Sequence, residues 1–219
     1  MQQCRVAELM DDSTLESHRH LNALRGLARI NRISRSAALV ARPIATLAQK
    51  LGRPPRVLDV ATGGGDVPAS LARRGWRVDG CDISKRAVNY AKSRYPAINF
   101  FKLDVLRDAP PAGYDVVTCS LFLHHLEPDD AVHLLRFMAS TAEKLVVVND
   151  LNRTRLGYGA AWVGTRLLTR CDVVHIDGPR SVRAAWTPDE AIDLAERAGM
   201  HGASVRRRFP FRWVLTWRR

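Results

Sequence analysis

The chain has 219 residues, 46% hydrophobic and 26% charged, the balance expected of a soluble domain that buries its core without disulfides or metals. Its formal charge of +12 is spread along the chain, with Arg206-Arg207-Arg208 the longest run, which argues against a polynucleotide groove. No stretch reaches transmembrane length, MQQCRVAELM is no signal peptide, and the scattered Cys4, Cys81, Cys119 and Cys171 make no CxxC pair, so a cytoplasmic protein is expected.

Taken in order, residues 14–30 carry Leu15, Leu21, Leu24, Leu27 and Ile30 at helical spacing, and a second helix over 35–50 stops at Gly52 before Pro54. These elements form a helical lead-in or lid over residues 1–52. From Arg56 the pattern changes to short β-branched runs alternating with helices: strands at 56–61, 76–82, 98–104, 114–120 and 144–150, helices at 66–74, 84–94 and 128–140. Runs apolar on both faces predict a parallel sheet covered by helices on each side. Residues 53–150 are therefore read as the ligand-binding core. A cap is expected over 151–185, with a helix at 156–168 and an irregular stretch, DVVHIDGPRSVRAAW, after it. Thr187-Pro188-Asp189-Glu190 then spells a capping box, and the helix it opens ends near Gly199. Two further strands, 203–209 and 212–218, predict a closing hairpin, so that 186–219 completes the core.

The segment Asp59-Val60-Ala61-Thr62-Gly63-Gly64-Gly65-Asp66 joins a strand to a helix, where glycines let a ligand approach the backbone. A dinucleotide fingerprint fails at its third glycine, since Pro68 stands there, and no GxxxxGK[ST] phosphate loop exists. Asp59 suits an ammonium or sulfonium ligand better than a phosphate. Asp82, ending the second strand, can accept both hydroxyls of a ribose, and Asp104, ending the third, can meet an adenine amine. The competing reading of Asp59 and Asp104 is that they only cap nearby turn amides.

The stretch 59–66 resembles the D-x-G-x-G-x-G motif of class I S-adenosylmethionine-dependent methyltransferases. DGCDIS (79–84) is similar to that family's acidic second motif, KLDV (102–105) to its third, and YDVVTCSLFLHHL (114–126) to its fourth strand and following loop. Ala61 departs from the family, which has glycine there. The resemblance implies an α/β fold: a Rossmann-like sheet of seven strands, mostly parallel with an antiparallel terminal strand, plus the N-terminal helices and a small cap. It implies S-adenosyl-L-methionine as cofactor. Asp59, Ala61, Gly63 and Gly65 would surround its methionine and ribose, Asp82 and Ile83 the ribose and adenine, Asp104 and Val105 the adenine edge, and Ser120 the sulfonium.

For the acceptor, a phenol or acid needs a base, and His124 and His125 follow the fourth strand, where the methyl group is expected. His125, His124 and His175 are the candidate catalytic residues; His18, His20, His133 and His201 are read as surface or packing residues. No DPPY loop, paired glutamates or Lys-Asp-Lys-Glu set is visible. Ser120 and Asn149-Asp150 do not make the oxygen cage of metal-dependent catechol methylation, so no metal is expected. The expectation is methyl transfer to the oxygen of an aromatic or polyketide-like small molecule, with Leu156, Tyr158, Trp162, Val163, Leu167 and Leu168 lining an apolar pocket. The alternatives are carbon methylation of a quinone-type ring, or a catalytically silent binding module.

Overall fold

Alternating inward residues build the sheet that organises the molecule. In the computed structural model, which describes residues 1–12 and 14–219, the strands are β1 (Arg56–Val60), β2 (Arg77–Asp82), β3 (Asn99–Lys102), β4 (Tyr114–Ser120), β5 (Ala142–Leu151), β6 (Ser204–Arg208) and β7 (Arg212–Arg218). They hydrogen-bond in the order β3-β2-β1-β4-β5-β7-β6. The first five are parallel, and β7 runs antiparallel between β5 and β6. The closing hairpin thus completes the expected sheet. Strand order reverses between β1 and β4, so the crevice for a ligand lies beyond their carboxyl ends.

Helices α1 (Ser17–Ile33) and α2 (Ser36–Leu51) precede the sheet; α3 (Asp66–Ala72), α4 (Lys85–Arg94) and α5 (Pro128–Thr141) link its strands. Helices α6 (Arg155–Leu168), α7 (Asp172–Ala184) and α8 (Pro188–Arg197) lie between β5 and β6 in sequence. Val57, Val116, Leu145, Val147 and Val214 face α2 and α3, whereas Leu58, Val117, Val146, Val148 and Leu215 face α5 and α8. That alternation explains why the strands read as continuous apolar runs. The capping box of α8 is formed as expected, with Thr187 accepting from Glu190 and Glu190 reaching back to the Thr187 amide. A separate small cluster joins Ala23 of α1 to Val173 and Val174 of α7, with Leu9, Met10, Leu15 and Ile30 around it. This is the interior of a cap built from α1, α7 and the chain's first residues.

Three expectations need correction. Residues 172–184 are helical, not irregular: Pro179 denies the His175 carbonyl its partner, but Val173, Val174, Asp177, Ser181 and Val182 bury one face of α7 and hold it. Strand β3 ends at Lys102, so Asp104 stands in the turn after it. The third concerns α6, whose Leu156, Trp162, Val163 and Leu167 are exposed instead of lining a pocket. The buried side of α6 carries Gly157 and Thr165, and a Cβ at Gly178 of α7 would meet Thr165 at 2.6 Å. Close approach of small residues decides that packing and leaves the apolar stripe outside.

Candidate active site

The turn after β1 is held by its own acidic residues. Asp59 is buried and accepts from the hydroxyls of Thr62 (2.9 Å) and Thr118 (2.6 Å). Asp82, at the end of β2, accepts from the Gly63 amide through Oδ2 and from the Ser84 amide through Oδ1, both at 2.8 Å. The glycine turn and the ribose candidate are therefore one unit. Gly65 (φ 77°) needs to be glycine twice over, because a Cβ there would also meet Phe100 at 2.8 Å. Ala61 takes φ 52° without being glycine, a conformation costing about 1–2 kcal/mol for an L-residue. Helix α1 lies over this turn, with Leu24 beside Gly63 and Gly64.

The electrostatics fit a cationic nucleoside. Burial pushes Asp59 up to about 7, with Asp66 and Asp82 adding to the rise against the two threonine hydroxyls. Burial also raises Asp82, opposed by its two backbone donors. Among the described residues neither carboxylate has a cationic partner; the sulfonium and ammonium of S-adenosylmethionine would supply one, and each Asp82 oxygen retains a lone pair for a ribose hydroxyl. Ile83, next in the chain, is 58% exposed. Asp104 accepts from the Leu106 amide at 3.0 Å and lies 3.7 Å from Arg107, the turn-capping alternative, while Val105 is buried beside it. Ser120 accepts from the Asn149 amide nitrogen at 2.8 Å, which ties the end of β4 to β5.

Beyond Ser120 the chain turns sharply, with Leu121 at φ 61°, into a short 3-10 turn, Leu123–His125. Trp186 secures it by donating its indole N–H to the Leu123 carbonyl. Both candidate histidines on this turn are backed by carboxylates. His124 is buried and bonds through Nδ1 to Asp150 at the end of β5 (2.7 Å), which also accepts the His124 amide (3.0 Å). His125 bonds through Nδ1 to Asp11 (2.8 Å) and stacks on Phe122. The Nε2 atoms of both rings face one carboxylate, Glu8, at 3.6 Å and 3.8 Å. Burial alone would lower His124, but Asp150 and Glu8 outweigh it and raise the imidazole to about 10. Glu8 behaves conversely: burial pushes it up, yet the two histidines and Ser181 hold it down at about 2. The two carboxylates facing it make the His124 imidazole hold its proton more tightly than a free imidazole does, which disfavours it as a base relative to His125. His175 is elsewhere, on α7, its Nε2 bonded to the Thr169 carbonyl at the end of α6.

Sequence patterns did not point to Glu8, Asp11 or Asp177. The first residues of the chain form a strap across the turn: Asp177 of α7 accepts the Leu9 and Met10 amides, Gln3 donates to the Ala184 carbonyl, and Arg5 stacks on Trp186. His20 on α1 is a packing residue: it is buried, and its Nδ1 has no hydrogen-bond partner among the described residues. The one signal available beforehand was three acidic residues close together, Glu8, Asp11 and Asp12, ahead of the first helix.

Comparison with known proteins points to one family. Residues 57–144 match a family model described as a methyltransferase domain. The chain is 30% identical over 172 residues to an uncharacterized methyltransferase of Mycobacterium bovis, covering 74% of this chain and 86% of that protein. It is 31% identical over 150 residues to a ubiquinone biosynthesis O-methyltransferase of Pseudoalteromonas translucida, covering 65% of this chain but only 62% of that relative's length. Among solved structures, the plantazolicin methyltransferase BpumL in complex with SAH superposes with a TM-score of 0.70 at 13% identity, covering 95% of this chain and 92% of that one. No helix among the described residues is long and apolar enough to cross a membrane.

Proposed function

The chain belongs to the class I S-adenosylmethionine-dependent methyltransferases, and on that premise we propose that it methylates an oxygen of a small aromatic or polyketide-like acceptor. S-adenosylmethionine, when bound, supplies the methyl group from its sulfonium. Asp82 would hold the ribose hydroxyls, Ile83 the adenine with Asp104 and Val105 at its edge, and Asp59, Ala61, Gly63 and Gly65 would shape the turn around the methionine part. Ser120 would serve the sulfonium end. The strap, α1 and α7 close over the carboxyl ends of β1 and β4 as a lid, excluding water from the reacting groups.

The observation that carries the oxygen assignment is the carboxylate-backed histidine pair directly after β4. A hydroxyl acceptor needs its proton removed or its oxygen held as the anion forms, and this cluster is built to do so. A ring carbon gives up its proton only after the methyl group has arrived, whereas a hydroxyl must be losing its proton as it attacks. The relative's printed name, an O-methyltransferase, supports the same choice. The test is turnover of the purified chain with S-adenosylmethionine against phenols, hydroxyquinones and aromatic acids, with the methyl position read by NMR. Methylation at oxygen supports the reading. Methylation at a ring carbon would move it to a C-methyltransferase of quinone-type rings, and cofactor binding without any turnover would point to a binding module.

A further inference from the structure

Glu8, His124 and His125 come from two distant parts of the chain, yet one ligand-capable atom from each lies within 4.8 Å of the other two. The hydrogen-bonding directions make this more than proximity. Each imidazole has its Nδ1 at hydrogen-bonding distance from a carboxylate, His124 from Asp150 and His125 from Asp11, so Nδ1–H is held there and Nε2 is the nitrogen left for a ligand. Both Nε2 atoms face Glu8, and a bound cation would take the place of any proton they carry. At 3.6 Å and 3.8 Å the separations are too long for hydrogen bonds and leave room for something positive between them. Metal bonds of about 2.0–2.2 Å at the tetrahedral angle put neighbouring ligand atoms about 3.3–3.6 Å apart, so small side-chain rotations bring all three to one centre. An imidazole whose far nitrogen is held by a carboxylate is the usual arrangement of a metal-bound histidine.

We propose that Glu8, His124 and His125 bind a divalent transition-metal cation of the zinc type, with Asp150 and Asp11 as the groups that orient the two imidazoles. Two nitrogens and one carboxylate select zinc or cobalt over magnesium, which prefers an all-oxygen shell. Three protein ligands leave a fourth position open, as in catalytic rather than structural sites. An acceptor oxygen is its natural occupant; that last point rests on the proposed acceptor, whereas the binding itself does not. Ser120, Asn149 and Asp150 supply no ligand atom, so the expectation of no oxygen cage after β4 and β5 is compatible with a nitrogen-rich site one turn further on. A ligand from residue 8 could not be found by spacing along the sequence.

The experiment uses the full chain, freed of metal by dialysis against chelator and titrated separately with Zn2+, Co2+ and Mg2+ in the absence of acceptor. We expect one equivalent of Zn2+ or Co2+ to bind with micromolar or tighter affinity, Co2+ showing the absorption of a four-coordinate centre, and Mg2+ not to bind. Glu8→Gln and His125→Asn should each weaken binding at least about tenfold with unchanged circular dichroism, and Asp11→Asn, which acts through His125, by about tenfold. The buried His124 is left intact, so a folding defect does not confuse the result. Absence of binding in the unaltered chain, or binding that Glu8→Gln and His125→Asn leave unchanged, overturns the site. Because no acceptor is present, failure of the acceptor assignment would leave this measurement untouched.

Discussion

The two sides of the crevice solve opposite electrostatic problems. On the β1–β2 side, Asp59 is buried and Asp82 half-buried, with no cationic side chain beside them among the described residues, and desolvation drives both upward, Asp59 to about 7. On the β4–β5 side the carboxylates have partners within the protein, so Glu8 is driven down to about 2 and His124 up to about 10. The first side meets its carboxylates with hydroxyl and amide donors alone; the second meets them with imidazoles. On the proposed reading, the first suits a cationic ligand and the second suits proton or metal chemistry on the acceptor.

That contrast can be broken most forcefully at His125. If the β4 side does the acid–base work, His125→Ala should lower kcat by about 10²–10⁴-fold while the dissociation constant for S-adenosylhomocysteine barely moves. A variant with ordinary kcat would remove the chemical role from that side. Asp82→Ala should do the reverse, weakening S-adenosylhomocysteine at least about tenfold by calorimetry, because a charge-assisted pair of hydrogen bonds is lost. An unchanged constant would take the ribose away from Asp82.

The smallest effect is also the most diagnostic of the β1 side. Asp59 has its folded pKa raised, so in the free protein it is protonated below about 7, and its own contribution to stability is present below about 4 and lost as pH rises through about 7. A cationic ligand favours the ionised form, so below that pH a proton must leave when it binds. The dissociation constant for S-adenosylmethionine should therefore rise as pH falls below about 7, by up to about tenfold per unit, and level off above it. A flat profile measured by fluorescence titration would separate Asp59 from the ligand's charge.

The cofactor side was largely legible in the sequence because its signals are local. A strand, a glycine turn and a helix occupy adjacent residues, and an acidic residue ends β2 where the pattern places it. The acceptor side was half legible: His124 and His125 stood out after β4, but their partners are 26 and 114 residues away, and Glu8 belongs to neither neighbourhood. No periodicity links such positions. Helix α7 was hidden by Gly178-Pro179, which breaks a helix on propensity and is overruled by burial of the opposite face. The apolar stripe of α6 was visible, but which side packs depends on Gly157 and Thr165 meeting their neighbours closely, a tertiary matter.

The strap gives one element of the active site its own stability. Glu8 and Asp11 reach the histidines from a segment attached to the body, among the described residues, by one backbone hydrogen bond, Cys4 to Arg183, and by side-chain contacts that include Asp177, Ser181, Gln3 and Arg5. Ordering each of its residues costs about 1–2 kcal/mol of backbone entropy, and with no sheet or long-helix hydrogen bonding it opens below the energy of global unfolding. Amide hydrogen exchange reads that opening directly. The Leu9 and Met10 amides, protected only by the Asp177 carboxylate, should exchange far ahead of those in β1, β4 and β5.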